Sequence, residues 1–220
     1  MSNIEKRNPS TEATIEGIKV SDWHWFIDKN ASRYVDVFSE NEGKKVFFHM
    51  NWAAAFFNFY WMFYRKMYKY AFLYLLISSI LSIAVTLTTV AVTQPAMLEA
   101  EEIIAPYTQY LDQDHNLKTG YTEGMVDFTA IQNAVDEYKT VEWSVKAKAT
   151  FGIIVPTVMF NLLFGLLADC IYRRYILKNM RYKSGGTSGW SIVGGLVLYP
   201  LINNLVVGPL SSFIAAMFEL

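Results

Sequence analysis

An acid inside an apolar stretch is the first residue to weigh. Asp169 stands near the end of ATFGIIVPTVMFNLLFGLLADCIY, residues 149–172. Ionisable groups in such segments mark ion or proton paths unless they are paired. Arg173 lies one helical turn further on, and Asp–Arg at that spacing forms an ion pair, which is the expected state. Asn161 precedes Asp169 by eight residues, about 80° around a helix, so the two do not share a tight stripe. Asn203 and Asn204 fall inside the last apolar block. There two amides either coordinate an ion or bond across helices, with cross-helix bonding expected. Asn161, Asp169, Arg173, Asn203 and Asn204 are thus the candidate polar or ion site.

The sequence carries no recognisable pattern for metal binding, phosphate binding or nucleophilic catalysis. His24, His49 and His115 fall in separate segments, and none has a ligand-spaced partner for a metal. KSGGTS, residues 183–188, puts its lysine before the glycines, the wrong order for a phosphate loop. No nucleophile elbow or Ser-His-Asp set is recognisable. The expectation is no catalytic residue, no metal, no cofactor and no enzyme.

The elements that carry these residues follow from composition. The 220 residues are 53% hydrophobic, and only 18% are charged, below the ~25% of ordinary soluble domains. The apolar excess collects in three blocks, the pattern of a membrane protein. The net charge of −1 averages two opposite regions and gives no reason to expect nucleic acid. Cys170 is the single cysteine, so no intrachain disulfide forms and a buried inert thiol is expected. The first forty residues lack a signal-type apolar region, so insertion is expected to rely on an internal span.

Residues 1–20 read as a flexible polar tail. Residues 21–44 read as a cytoplasmic amphipathic helix, because Trp23, Ile27, Ala31, Tyr34 and Phe38 fall on one face. Residues 70–92 carry no charge, and about 23 residues at 1.5 Å reach roughly 34 Å, enough for a bilayer core. Residues 149–172 form the second span, interrupted by Pro156 and Asn161. Residues 191–220, with Pro200, Gly208 and Pro209, form a third that is either kinked or re-entrant. Residues 173–190 are a basic segment and a glycine-rich link.

Residues 93–148 are water-soluble in character and open on Gln94-Pro95. Met97, Ala100, Ile104, Tyr107 and Leu111 make one helical stripe, and Phe128, Ile131, Val135, Tyr138, Val141 and Val145 another. Two helices that bury these stripes against each other, joined by DHNLKTGYTEG, give a hairpin; the functional alternative is a docking surface. The segment holds ten acids (Glu99, Glu101, Glu102, Asp112, Asp114, Glu123, Asp127, Asp136, Glu137, Glu142) against Lys118, Lys139, Lys146 and Lys148. Arg65, Lys66 and Lys69 precede the first span, and Arg173, Arg174, Lys178, Arg181 and Lys183 follow the second. Basic flanks mark the cytoplasmic side, which puts the acidic hairpin outside.

Residues 45–69, with NWAAAFFNFYWMFYRKMY at 51–68, form an aromatic segment with a basic end; its residues 46–64 are just long enough to span, but only the short basic knot separates them from the next span. Their apolar residues are mostly aromatic, the types that favour the headgroup zone. Asn51, Asn58 and Arg65 lie seven apart, one narrow polar stripe on an apolar cylinder. An interfacial or re-entrant helix is expected, anchored by Asn51, Trp52, Asn58, Trp61, Arg65, Lys66 and Tyr68, with rings placed for cation–π contact with Arg65 or Lys66.

The words FIDKNASRYVDVF, GKK, NWAAAFF and YRKMY resemble a bacterial membrane-protein family known as domain of unknown function 2628. LLADCIYRRYILKNMRYKSGGTS is similar to that family's second block. The resemblance covers roughly residues 26–92 and 160–190. The family pattern usually has Gly-Pro where this chain has Asn58-Phe59, which implies a straighter helix here, and the acidic hairpin is longer than the family's usual connection. The resemblance implies location and architecture, not activity.

The fold expected is an all-α integral membrane protein with about three transmembrane helices, an interfacial aromatic helix and an extracytoplasmic helical hairpin. Its expected place is the bacterial inner membrane, N-terminus inside. Its partners are the lipid bilayer and a membrane or envelope protein, and no oligomeric state is implied. The reading is a scaffold or accessory protein. The alternative is a small oligomeric transporter or channel that uses the polar residues of the second and third spans.

Overall fold

A computed structural model describes residues 13–118, 127–181 and 185–217. Among the described residues the chain is all-α apart from one two-stranded hairpin and an isolated bridge between Leu111 and Leu117. It divides into two compact units. One comprises residues up to Ser78 together with Met159–Asn203, the other Ser79–Val158 with Asn204 onward.

The first unit opens with strands β1 (Thr14–Ile15) and β2 (Ile18–Lys19), paired antiparallel. Glu16 and Gly17 turn the chain with φ of 53° and 73°, the left-handed pair of a tight hairpin turn. Ile15 is buried, and its carbonyl accepts from Trp23 Nε1 at 3.2 Å. Residues 14–19 are therefore docked, which corrects the tail expected over 1–20; residues 1–12 lie outside the described residues.

Helices α1 (Val20–Ile27) and α2 (Ala31–Glu40) follow. All five residues of the expected face, Trp23, Ile27, Ala31, Tyr34 and Phe38, are buried. The single helix expected is nevertheless two. Asp28 and Asn30 take φ of 63° and 59°, a conformation that Asp and Asn tolerate better than other side chains. The break turns α2 back while keeping both halves of the stripe in one core.

Helix α3 (Trp52–Tyr64) contains a kink at Asn58, with φ 28° and ψ −102°. The straighter helix expected from losing Gly-Pro is thus corrected. Asn58 takes the positive φ itself, and its Oδ1 accepts from the Phe59 amide at 2.6 Å. Ala54, Ala55, Phe59, Trp61, Met62 and Phe63 are buried, whereas Trp52, Phe56 and Phe57 are exposed. One side of α3 is core, and the other is an open aromatic face.

Helices α4 (Tyr68–Ile104) and α5 (Phe128–Asn179) are much longer than the spans expected within them. Neither Pro95 nor Pro156 ends its helix, so the boundary expected at Gln94-Pro95 and the interruption expected at Pro156 are not there. Each proline removes one backbone donor without breaking the helix. Helix α6 (Gly189–Ile202), a π-helical step over Asn203–Val207 and helix α7 (Gly208–Met217) complete the chain. The irregularity of the last block sits in that step, where one extra residue per turn absorbs a distortion.

Three helical stretches, Tyr68–Tyr110, Phe128–Asn179 and Gly189–Leu210, are long and apolar enough to cross a membrane. Their most apolar windows are only 6%, 17% and 6% buried within the protein. Side chains such as Leu76, Ile80, Phe151, Ile154 and Leu163 stand exposed. Apolar surface on that scale is the mark of a membrane protein, whose lipid-facing side chains are solvated by acyl chains.

In the second unit, Ala100, Ile104, Leu111, Ile131, Val135 and Tyr138 form one buried cluster, with Met97, Tyr107 and Val141 packed against it. The two expected stripes do meet. The Met97–Ile104 part of the first stripe is a continuation of α4 and the second stripe a continuation of α5 rather than separate helices, while Tyr107 lies in a 3-10 turn over Ala105–Tyr110 and Leu111 just beyond it. Lower down, a Cβ at Gly152 would lie 3.1 Å from Thr89 Oγ1, the close small-residue approach typical of packed spans.

Candidate functional site

The polar centre of the first unit is built around Asp169 on α5, which is fully buried. Its carboxylate accepts from three side chains: Asn51 Nδ2 at 2.6 Å, His49 Nδ1 at 2.7 Å and Arg33 Nη2 at 2.9 Å. Nδ1 thus carries the proton that faces the acid, and its 3.4 Å approach to Arg33 Nη2 is proximity between two donors. Burial of a carboxylate demands such donors.

Asn51 ties the centre to α3. It is the N-cap, its Oδ1 accepting from the Ala54 amide at 3.0 Å, while Nδ2 also reaches Tyr34 Oη at 3.2 Å. The chain before α3 lies along α5, with the amides of His49 and Asn51 donating to the carbonyls of Leu166 and Gly165. This contact needs a glycine. A Cβ at Gly165 would come within 2.6 Å of Ala55 Cβ and 3.3 Å of the Asn51 carbonyl.

Arg65 ends α3 and is 4% exposed. Its Nη1 donates to the carbonyls of Ile27 and Lys29 at 3.0 and 3.1 Å, and Nη2 also reaches Lys29 at 3.1 Å. The guanidinium lies 4.8 Å over the Tyr34 ring, 5.2 Å from Tyr172 and 5.5 Å from Tyr64. Its Nε has no hydrogen-bond partner among the described residues. A cavity of about 720 Å³ opens beside it, lined by Arg33, Arg65, Asn51, Trp52, Phe57 and Leu196 among others.

The expected ion pair between Asp169 and Arg173 does not form. Asp169 is satisfied by α2 and the segment before α3, whereas Arg173 is turned the other way. Its Nη1 donates to the Asn41 carbonyl at 2.6 Å and lies 3.4 Å from Glu16 Oε1, its Nη2 donates to the Lys44 carbonyl, and its head sits 4.6 Å over Phe47. Helical spacing brings two side chains within reach, but stronger tertiary partners on opposite sides separate them. Asn161 also has its own partner, accepting from Tyr74 Oη at 2.5 Å. Asn204 is exposed in the π-helical step, and the Asn203 side chain lies outside the described residues. The five expected site residues are therefore not one cluster.

The anchor residues also divide. Asn51 and Arg65 are buried, and Asn58 sits at the kink, so the seven-residue spacing is not a lipid-facing stripe. It marks the cap, kink and end of α3. Trp61 is buried against Tyr172 and Phe164. Trp52 is exposed and stacked on Phe56. Tyr68 Oη meets Ser191 Oγ at 2.8 Å, and Lys66 Nζ donates to the Gly185 carbonyl at 3.0 Å. Gly186, Thr187 and Ser188 bond Phe26, Asp28 and Tyr64, so the described part of the glycine-rich link is held by α1, the turn after it and the end of α3.

Among the described residues, no group of three or more His, Cys, Asp and Glu could hold a metal ion. Sequence reading missed Arg33 and His49. Arg33 lies beside the buried stripe, not on it, and no local pattern relates His49 to an acid far along the chain.

No curated protein and no solved structure matches the chain. The second block of the sequence resemblance, residues 160–190, lies outside the stretch that the family comparison covers. Residues 23–104, which carry Arg33, His49, Asn51 and Arg65, match the family described as protein of unknown function (DUF2628).

Proposed function

We propose that the chain is a non-enzymatic scaffold or accessory protein of the bacterial cytoplasmic membrane, with its N-terminal unit inside and its acidic hairpin meeting an envelope or membrane partner outside. Charge asymmetry carries the reading. Lys66, Lys69, Arg173, Arg174 and Lys178 gather at one end of α4 and α5, while residues 93–148 hold ten acids against four lysines. Basic flanks are retained on the cytoplasmic side. Transport through the spans is the less favoured reading, because Asn161 and Asp169 are both engaged inside the fold.

Cysteine labelling tests the orientation. In a Cys170→Ser background, Lys118→Cys should react with an impermeant maleimide on intact cells, and Lys178→Cys only after permeabilisation. The reverse pattern overturns it. Crosslinking from the hairpin in native membranes tests the scaffold role. A reproducible protein adduct is expected, and lipid adducts alone would argue against it.

A further inference from the structure

Arg65 is a buried cation without a counter-ion among the described residues. None of the ion pairs formed among the described residues includes it. Its partners are two backbone carbonyls and the faces of tyrosine rings, and its Nε is unbonded. A guanidinium removed from water is costly unless an anion answers it. Carbonyl dipoles and ring faces offset part of that cost, and an anion would complete it.

The cavity beside Arg65 suits a particular kind of anion. Arg33 lines it as well, with one nitrogen on Asp169 and its side chain still 38% exposed. Two guanidinium groups against one carboxylate leave the polar end net positive. Asn30, Asn51 and three tyrosines complete the polar end, and one wall is apolar and open, with Trp52, Phe57 and Leu196 all more than half exposed. A small soluble anion would leave that wall uncovered. A zwitterionic headgroup would bring a second cation toward Arg33. About 720 Å³ is the size of a pocket for a drug-sized molecule, enough for a headgroup and the first part of one chain.

We infer that this cavity binds one anionic glycerophospholipid. Its phosphate sits against Arg65 and Arg33, and an acyl chain runs along Trp52, Phe57 and Leu196 toward the bilayer. Basic pockets beside spans recognise lipid phosphates in this way. The inference needs the chain to lie in a bilayer but not a particular orientation, so the labelling experiment and this one fail independently.

The test uses the full chain in nanodiscs of about equal phosphatidylglycerol and phosphatidylcholine, read by native mass spectrometry for retained lipid. Wild type should retain one phosphatidylglycerol in preference to phosphatidylcholine by roughly tenfold or more, the scale of one charge-assisted hydrogen bond. Arg65→Met should abolish the preference. Ala53→Phe, at an exposed lining residue, should block retention while helix content by circular dichroism is unchanged, and it decides the matter if Arg65→Met does not fold. Equal retention of the two lipids overturns the inference. So does phosphatidylglycerol retention that survives Ala53→Phe, which would mark annular lipid on the basic belt. So does full displacement of the retained phosphatidylglycerol by inorganic phosphate in the same mixed discs, which would mark a simple anion site.

Discussion

Replacing Asp169 with alanine removes the acceptor shared by three donors, and the loss is unequal among them. Asn51 is 2% exposed, and its Nδ2 keeps only the longer contact to Tyr34 at 3.2 Å. A buried donor stranded in this way costs about 1–3 kcal/mol. Arg33 and His49 are 38% and 37% exposed, so each can turn to water, and each pair contributes about 0–1 kcal/mol. The sum is about 3 kcal/mol, most of it from the uncharged partner. Cys170, 2% exposed and next in sequence, reports the opening through its reaction with a maleimide dye in detergent. At ~1.4 kcal/mol per decade, Asp169→Ala should label roughly a hundredfold faster. Double-mutant cycles then separate the partners and cancel the cap that Asn51 provides to α3. Coupling of Asp169 to Asn51 should be about 1–3 kcal/mol, and to Arg33 less than about 1 kcal/mol. A larger coupling to Arg33, or an unchanged labelling rate, would refute the view that burial rather than charge makes this centre matter.

Asn58→Gly should be tolerated, because glycine accepts the kink's backbone, whereas Asn58→Val should cost about 1–3 kcal/mol in the same labelling assay. Gly165→Ala should destabilise by about 1–3 kcal/mol through its collision with Ala55, and Ala55→Gly should restore most of it. Val135→Asp buries an unpaired carboxylate in the hairpin cluster, and trypsin should then cut at Lys118 or Lys139 much faster than in wild type. Asp169→Asn in proteoliposomes should leave solute and ion fluxes unchanged, and an altered flux would favour transport over the scaffold reading.

Periodicity carried far in this chain where packing is local. The face from Trp23 to Phe38 is buried, and the stripes around Ile104 and Val135 are buried at their centres and partly buried at Met97, Tyr107, Phe128 and Val141, because a helix can bury only residues that share its side. Aromatic and basic composition likewise marked residues 51–68 as unusual. Spacing failed where a residue's role depended on distant chain. Asp169 and Arg173 stand one turn apart, yet their partners come from residues 33–51 and 16–44 respectively. Asn51, Asn58 and Arg65 are the cap, the kink and the end of α3, which a seven-residue repeat does not distinguish from a polar stripe. Prolines misled in the opposite direction, suggesting boundaries at 95 and 156 where long helices continue.

The break between α1 and α2 has a consequence that reaches Arg65. In one continuous helix, the carbonyls of Ile27 and Lys29 would accept from the amides of Ala31 and Arg33. With Asp28 and Asn30 in positive φ, those carbonyls instead face the guanidinium that closes α3. The same turn sets Arg33 and Tyr34 at the start of α2, one on Asp169 and the other beneath Arg65. A straight helix over 21–44 would satisfy its own backbone and leave Arg65 with nowhere to be buried. The cationic cavity is therefore a product of two left-handed residues in α1–α2 rather than of the aromatic segment that lines it, and substitutions that straighten Asp28–Asn30 should remove the cavity without touching any residue in its apolar wall.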